Sequence, residues 1–235
     1  MNSVTHAQKE LAALQLTPER QQDLNRRVDV EFTWATLALE GSAVSREEVE
    51  RESARTATLV SSAGEGSTRI ISALYAIRSV RSLAEARGTA ASLTPSLLLE
   101  LHSGSDVSSK EPSRQPTPEQ AGATRLLATL ESLCHWFTAE SFAELHPAEQ
   151  ASIVLLRLLE LKPFDEGNTR TALAVSSLYT LRSQLPPIII RPEMQAAYRA
   201  ALNEGVKMNT KPMVDLVAEA LVRTVRELVE RAGVN

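Results

Sequence analysis

Apolar residues recur at helical spacing along most of the chain. Between Leu24 and Leu39 they return every three or four residues, so they share one face of a helix. Thr17 followed by Pro18 is typical of a helix start, and Gly41 suits the end of the same helix. The same reasoning predicts further helices that begin near Ser45, Ser67, Thr94, Thr117, His146, Asn168 and positions 193 and 212. The pattern therefore predicts an all-α fold.

The helix that begins at His146-Pro147 is the most apolar in the sequence. Residues 153–161 leave it hardly any polar face, and a helix that is apolar all round is packed on every side in a soluble protein. We therefore expect it at the centre of the fold, ending before Pro163. Residues 186–190 are the one plausible extended segment, so the fold contains at most a short β segment. The Ser- and Pro-rich residues 103–118 predict a loop.

Composition and charge exclude several classes of protein. Lys and Arg number 25 and Asp and Glu number 29, so the net charge of −4 gives no basic surface for nucleic acid. Cys134 is the only cysteine, which excludes an intrachain disulfide and a cysteine zinc cluster. No stretch approaches the roughly 18 apolar residues of a membrane span, and the first residues lack the apolar run of a secretory signal. We expect a cytoplasmic protein with no nucleic-acid or membrane partner.

The turn between the central helix and the next one carries the most chemistry. Amides at residues 167–170 are the unpaired donors of a helix start, at the positive end of its dipole. Gly167 lets the backbone approach a ligand closely, and Arg170 adds a planar cation suited to phosphate oxygens. Lys162 precedes them, and the Glu166 carboxylate beside phosphates suggests Mg²⁺. These features favour an anion site, and the alternative is a polar loop whose charges pair among themselves.

The same turn resembles the signature of the Fic family, HPFx[D/E]GN[G/K]R, followed after two intervening residues by a second arginine. The matching residues are Pro163, Phe164, Glu166, Gly167, Asn168 and Arg170. An all-helical setting and a hydrophobic helix led by His146-Pro147 are also similar to that family. The resemblance covers residues 95–190 well and the flanking helices loosely. It implies a Fic-like helical core around the central buried helix at residues 63–235, with an N-terminal helical extension at residues 1–62.

The resemblance also implies an activity, the transfer of AMP from ATP to a hydroxyl side chain of a target protein. In the family, the signature histidine accepts the hydroxyl proton, the acidic residue binds Mg²⁺, and the loop and arginines bind the phosphates. Carried over residue by residue, the phosphate-binding set in this chain is Gly167, Asn168, Thr169 and Arg170. Glu166 would bind Mg²⁺, and Lys162 stands at the position of the catalytic histidine.

A second motif lies at the end of the first long helix. Residues 36–41 (TLALEG) resemble the inhibitory motif [S/T]xxxE[G/N] that precedes many Fic cores. In that family the glutamate reaches into the nucleotide site and pairs with the second signature arginine. The resemblance implies this inhibitory role for Glu40, and the alternative is a solvated glutamate at a helix C-terminus.

The sequence departs from the family at positions that carry the reaction. An ordinary lysine pKa is about 10.4 against about 6.5 for histidine, so Lys162 suits a phosphate-binding cation better than a proton acceptor. Leu173 replaces the second arginine, so an inward-pointing Glu40 must pair with Arg170 or Lys162 instead. Residues 103–118 also lack the alternating pattern of the β-hairpin flap that aligns targets in the family.

These observations give one leading hypothesis and two alternatives. The leading one is a degenerate Fic-domain protein with an ATP pocket, Mg²⁺ binding through Glu166, and impaired AMP transfer. The first alternative is an active protein adenylyltransferase or a related phospho-group transferase. The second is a helical interaction module that uses no nucleotide. The expected partners are a nucleotide and an unidentified protein target or partner, and the sequence is compatible with a homo-oligomer.

Overall fold

The computed structural model describes residues 1–55, 65–103 and 118–233. Within these ranges the chain forms eleven α-helices and no strand, which confirms the predicted all-α class. The first six are α1 (Asn2–Ala12), α2 (Pro18–Leu39), α3 (Arg46–Arg55), α4 (Glu65–Arg87), α5 (Pro95–Ser103) and α6 (Pro118–Trp136). The others are α7 (Glu140–Ala143), α8 (Pro147–Leu161), α9 (Asn168–Leu181), α10 (Gln195–Val206) and α11 (Lys211–Gly233).

The predicted central helix, α8, packs against α9, and α4 and α11 cover this pair. Its residues are buried on almost every side, as their apolar character requires. Helix α9 is equally buried although it carries several hydroxyl groups. Ser176 and Ser177 donate to backbone carbonyls one turn earlier, so the buried hydroxyls are satisfied within the helix. The Ser177 hydroxyl also accepts the N–H of Ile188, which fixes the buried extended segment that follows α9.

Side-chain caps begin several helices where the sequence predicts them. The Thr17 hydroxyl accepts the N–H of Arg20 at the start of α2. At the start of α8, the N–H of Ala148 donates to His146 Nδ1 (3.1 Å), and the His146 N–H donates to the Glu149 carboxylate. Burial lowers the pKa of His146, which favours the neutral ring that can accept this hydrogen bond. The predicted cap at Thr117 and most of the predicted loop lie outside the described residues.

Helix α1 is the main element that the sequence analysis missed. It buries Val4 and Ala7 and packs against α11 at the other end of the chain. The Gln8 side chain also donates to the carbonyl of Ser183 (2.6 Å). None of the helices in the described ranges is long and apolar enough to cross a membrane.

Ion pairs hold α2 against the rest of the fold. The buried Asp29 pairs with Arg81 of α4 (2.5 Å), and Glu31 pairs with Arg191, just before α10. Helix α2 ends at Leu39, with Glu40 as its C-cap residue and Gly41 in the left-handed region (φ 82°). These contacts fix the direction of α2 and so decide where the Glu40 side chain lies.

Candidate functional site

The turn from α8 to α9 is held by its own side chains. Lys162 ends α8 in a left-handed conformation (φ 45°), and its N–H donates to the carbonyl of Leu158. Asn168, the first residue of α9, then closes the turn with both atoms of its side-chain amide. The Phe164 N–H donates to Asn168 Oδ1 (3.1 Å), and Asn168 Nδ2 donates to the Phe164 carbonyl (2.5 Å). The Asn168 side chain therefore shapes the loop, and its backbone N–H is the group at the helix start.

Phe164 is stacked against a histidine, His102, that the sequence analysis did not connect with the turn. The rings of His102 and Phe164 are parallel, with centroids 3.5 Å apart. His102 Nδ1 also lies 3.4 Å from the Thr171 hydroxyl in α9. His102 is at the end of α5, 60 residues before the signature turn in sequence, so no spacing in the motif could indicate this contact. The pair packs the turn onto α5 and α9.

Gly167 is required by the turn for two independent reasons. Its φ of 70° lies in the left-handed region that glycine adopts at little cost. A Cβ at this position would also lie 2.7 Å from Nη2 of Arg170. The Arg170 guanidinium is therefore folded back over the Gly167 backbone at the start of α9.

The Glu40 carboxylate accepts hydrogen bonds from both the backbone and the side chain of Arg170, at the start of α9. The backbone N–H of Arg170 donates to Glu40 Oε1 (3.1 Å), and Arg170 Nη1 donates to Glu40 Oε2 (3.2 Å). The Glu40 side chain is only 17% exposed, and the Arg170 side chain is only 11% exposed. Of the two partners that the sequence left open for Glu40, the structure places Arg170 in contact. The alternative of a solvated glutamate was wrong, because the carboxylate sits on the positive end of the α9 dipole.

Two further polar atoms at this site have no hydrogen-bond partner within the described part of the chain. They are Nε of Arg170 and the hydroxyl of Tyr198, both buried. Burial raises the pKa of Tyr198, and the negative charge of Glu40 raises it further. Tyr198 lies on α10, which the sequence analysis did not connect with the site. A hydroxyl and a guanidinium nitrogen are thus free to donate beside the Glu40 carboxylate.

The remaining predicted residues lie on the open side of the turn. Lys162 and Glu166 are exposed, and Thr169 is half-buried. Leu173, at the position of the family's second arginine, is fully buried in the core. Within the described ranges no group of three acidic, histidine or cysteine residues could hold a metal ion. Glu166 alone would fit Mg²⁺ only where phosphate oxygens supply further ligands, as is usual for this ion.

Cys134, the single cysteine of the chain, lies in the core. Its side chain is buried, and burial raises the pKa of the thiol to about 11. The thiolate is the reactive form of cysteine, so Cys134 takes no part in the candidate chemistry.

Comparison with known proteins identifies the segment that contains the turn. The model of the Fic/DOC family matches residues 92–180, so the chain carries a Fic/DOC family domain there. Protein adenylyltransferase fic-1 from Caenorhabditis elegans is 33% identical over 94 residues, which is 40% of this chain and 18% of the relative. Protein adenylyltransferase Fic from Nematostella vectensis is 29% identical over 110 residues, 47% of this chain and 25% of the relative. The matches thus span about a quarter or less of these curated relatives.

Solved structures extend the likeness to the whole fold. A fragment of Fic-1 from C. elegans matches with a TM-score of 0.80 at 21% identity, and the match covers 98% of this chain and 70% of that one. A Fic domain containing signaling protein from Bacteroides thetaiotaomicron also gives 0.80, at 19% identity, with 98% and 97% covered. The predicted resemblance to the Fic family and the helical fold are therefore confirmed. The signature turn lies inside the matched segment, and Glu40 lies outside it.

Proposed function

We propose that this chain is a nucleotide-binding Fic-domain protein whose phosphate site is occupied by its own Glu40, and whose AMP transfer is impaired. One observation supports the proposal most strongly. The Glu40 carboxylate receives a backbone N–H at the start of α9 together with the Arg170 guanidinium. These are the donors that a phosphate group uses at a helix N-terminus. A site that already binds one anion is chemically suited to another once Glu40 moves away.

The surrounding residues support ATP as the ligand. The N-terminal amides of α9 and Arg170 would hold phosphate oxygens, and the exposed Lys162 would add a cation at the edge of the turn. Glu166 is the residue that would bind Mg²⁺, which neutralises phosphate charge when it is present. Tyr198 and Arg170 Nε are buried donors without acceptors in the described residues, and a ligand in place of Glu40 would lie beside them.

The expectation of impaired transfer rests on Lys162. In AMP transfer, a target hydroxyl oxygen forms a bond to the α-phosphorus of ATP, and the bond to pyrophosphate breaks. The hydroxyl proton must pass to a base. An ammonium has no lone pair to accept a proton, and Lys162, which stands at the position of the family's histidine, lies exposed at the edge of the turn. We therefore expect ATP binding without efficient transfer.

An active adenylyltransferase, or a related phospho-group transferase, is the second candidate. It is favoured by the names of the relatives, which are protein adenylyltransferases. Under this alternative, Lys162 or a group on the substrate would accept the proton, and Glu40 would limit an otherwise functional site.

Calorimetric titration with Mg²⁺ and ATP tests the proposed binding. We expect Glu40→Gly to bind ATP at least tenfold more tightly than the unmodified protein, because the competing carboxylate is gone. Adding Arg170→Ala to that variant should abolish the gain. Glu144→Gly is a matched control, because Glu144 is an exposed C-cap residue with nearly the same backbone conformation as Glu40. Equal affinity of the unmodified protein and Glu40→Gly would contradict the proposal.

Labelling with ATP that carries radioactive α-phosphate separates the two candidates. The protein is incubated with cell lysate, and transfer is read as label on protein. We expect little label with Glu40→Gly and a clear increase when Lys162→His is added. Strong labelling by Glu40→Gly that disappears in Glu40→Gly/Lys162→Ala would instead make Lys162 a catalytic residue and establish the active transferase.

A further inference from the structure

We propose a second anion-binding site, between α2, α11 and the segment that precedes α10, with Arg191 at its base. It is separate from the proposed nucleotide site, since neither Glu40 nor Arg170 lines it. The ligand class is a small oxyanion, either inorganic phosphate or the phosphate group of a small monoester.

A cavity of about 300 Å³ marks the place. Its wall contains five arginines and three glutamates, and two of these arginines, Arg27 and Arg46, also pair with Asp23 and Glu50 outside the wall. The residues that carry the argument are Arg46, Arg191, Arg223, Glu31 and Glu227. Apolar side chains, among them Trp34, complete the wall. The volume is at the lower end of the range for small-molecule sites, which suits a phosphate or a small monoester and excludes a macromolecule.

Arg191 is the central residue because it is buried and incompletely bonded. Its side chain is only 4% exposed. Nε donates to Glu31 (3.2 Å) and Nη2 donates to Glu227 (2.6 Å). Nη1 is buried and has no hydrogen-bond partner in the part of the chain that the structure describes. Buried donors are nearly always paired in folded proteins, so Nη1 indicates an acceptor that the protein itself does not supply.

Arg46 provides a second unsatisfied donor in the same cavity. Its Nη2 pairs with Glu31 (3.2 Å), whereas its Nε is buried without a hydrogen bond to any described residue and lies 3.7 Å from the carboxylate of Glu50. Arg223 stands at the rim, where it pairs with Glu193 and Glu227 and remains 44% exposed. Guanidinium groups match tetrahedral oxyanions through pairs of N–H donors. One phosphate among these three arginines would take the donors that the glutamates leave unused.

Calorimetry with inorganic phosphate, at an ionic strength held constant with chloride, tests the proposal. We expect saturable binding that Arg46→Gln and Arg223→Gln each weaken at least fivefold. Both side chains are more than a third exposed, so these variants are expected to fold even where Arg191→Gln does not. Arg226→Gln on the exposed side of α11 is the matched control and should leave the affinity unchanged.

The motif variant Arg170→Ala keeps the two sites distinguishable. Phosphate binding that survives Arg170→Ala and is weakened by Arg46→Gln and Arg223→Gln supports the second site. Three results would overturn the second site. Phosphate binding is lost in Arg170→Ala, or it is weakened by neither Arg46→Gln nor Arg223→Gln, or no binding is detected at millimolar phosphate. The ATP titrations of Glu40→Gly use different residues, so failure here leaves the proposed function standing.

Discussion

Arg170 and Arg191 are both largely shielded from solvent and each pairs with a glutamate of α2 or its C-cap, yet their surroundings differ. Arg191 lies between two carboxylates, Glu31 of α2 and Glu227 of α11. Arg170 has one carboxylate, Glu40, which also takes a backbone N–H at the start of α9. The first arrangement joins two helices through one cation. The second places a single anion on a helix start.

This difference teaches which pair can be exchanged. Loss of Arg191 would remove the one buried cation that Glu31 and Glu227 share and would leave them only the more exposed Arg46 and Arg223, so the structure depends on it. Glu40 stands at the very end of α2, in the turn that leads to Gly41, so a small change there could remove its carboxylate. In the function proposed above, the amide and guanidinium left behind bind another anion. On that proposal, helix α2 contributes a structural pair at Glu31 and an exchangeable one at Glu40.

The largest expected effect is on stability, from Arg191→Ala. Removing one partner of a buried ion pair typically costs about 3–5 kcal/mol, and we expect the lower part of that range because Glu227 is a third exposed. Arg170→Ala should lower the free energy of unfolding by less, about 1–2 kcal/mol. The Glu40 carboxylate would still accept the backbone N–H of residue 170 and would still lie at the positive end of the α9 dipole. Urea denaturation measures both, with the exposed Arg27→Ala as control. If Arg191→Ala and Arg170→Ala lost the same free energy of unfolding, the contrast between a structural ion pair and an exchangeable one would be contradicted.

Gly167→Ala should lower the free energy of unfolding less than Arg191→Ala does, because it disturbs only the turn around Arg170. The left-handed backbone costs an alanine about 1–2 kcal/mol, and the new Cβ would also push against the Arg170 guanidinium. Gly41→Ala is the matched control, because Gly41 has a similar φ of 82° and open space around it. We expect Gly167→Ala to destabilise more in urea than Gly41→Ala. If the two variants unfold alike, Arg170 does not rest on Gly167 as described.

The smallest expected effect comes from Tyr198→Phe. Its buried hydroxyl has no partner among the described residues, so removing it should leave the free energy of unfolding unchanged or raise it by up to about 1 kcal/mol. Tyr179→Phe is the control, since the buried Tyr179 makes a hydrogen bond to the backbone at Leu93. That variant should lose about 1 kcal/mol. A comparable loss for Tyr198→Phe would mean that its hydroxyl is bonded after all.

The sequence predicted most of the helices because they carry local signals. Each of these signals depends only on a few neighbouring residues. Examples are the apolar run of α8, the capping residue Thr17 and the glycine that follows α2, Gly41. Helix α1 was missed because its stability depends on packing against α11, and only Val4 and Ala7 are buried in it. Helix α9 was predicted, but its complete burial was not. Its serine hydroxyls can be buried because they donate to backbone carbonyls within the same helix.

The candidate site divides in the same way. The turn could be found from the sequence because its residues are contiguous and match a known signature. The contact between Glu40 and Arg170 spans 130 residues, and only the resemblance to an inhibitory motif pointed to it. His102 reaches the turn from α5, Tyr198 of α10 is close enough to feel the charge of Glu40, and the arginines around Arg191 come from three separate segments. Such contacts are set by tertiary packing, which no local pattern records.

The central claim is that Glu40 occupies the place of a phosphate group, and one structure tests it most directly. Glu40→Gly would be crystallised with Mg²⁺ and an ATP analogue that cannot be hydrolysed. We predict phosphate oxygens within hydrogen-bond distance of the Arg170 backbone N–H and Nη1, where the carboxylate stood. A nucleotide bound elsewhere, or an empty turn at saturating analogue, would contradict the claim.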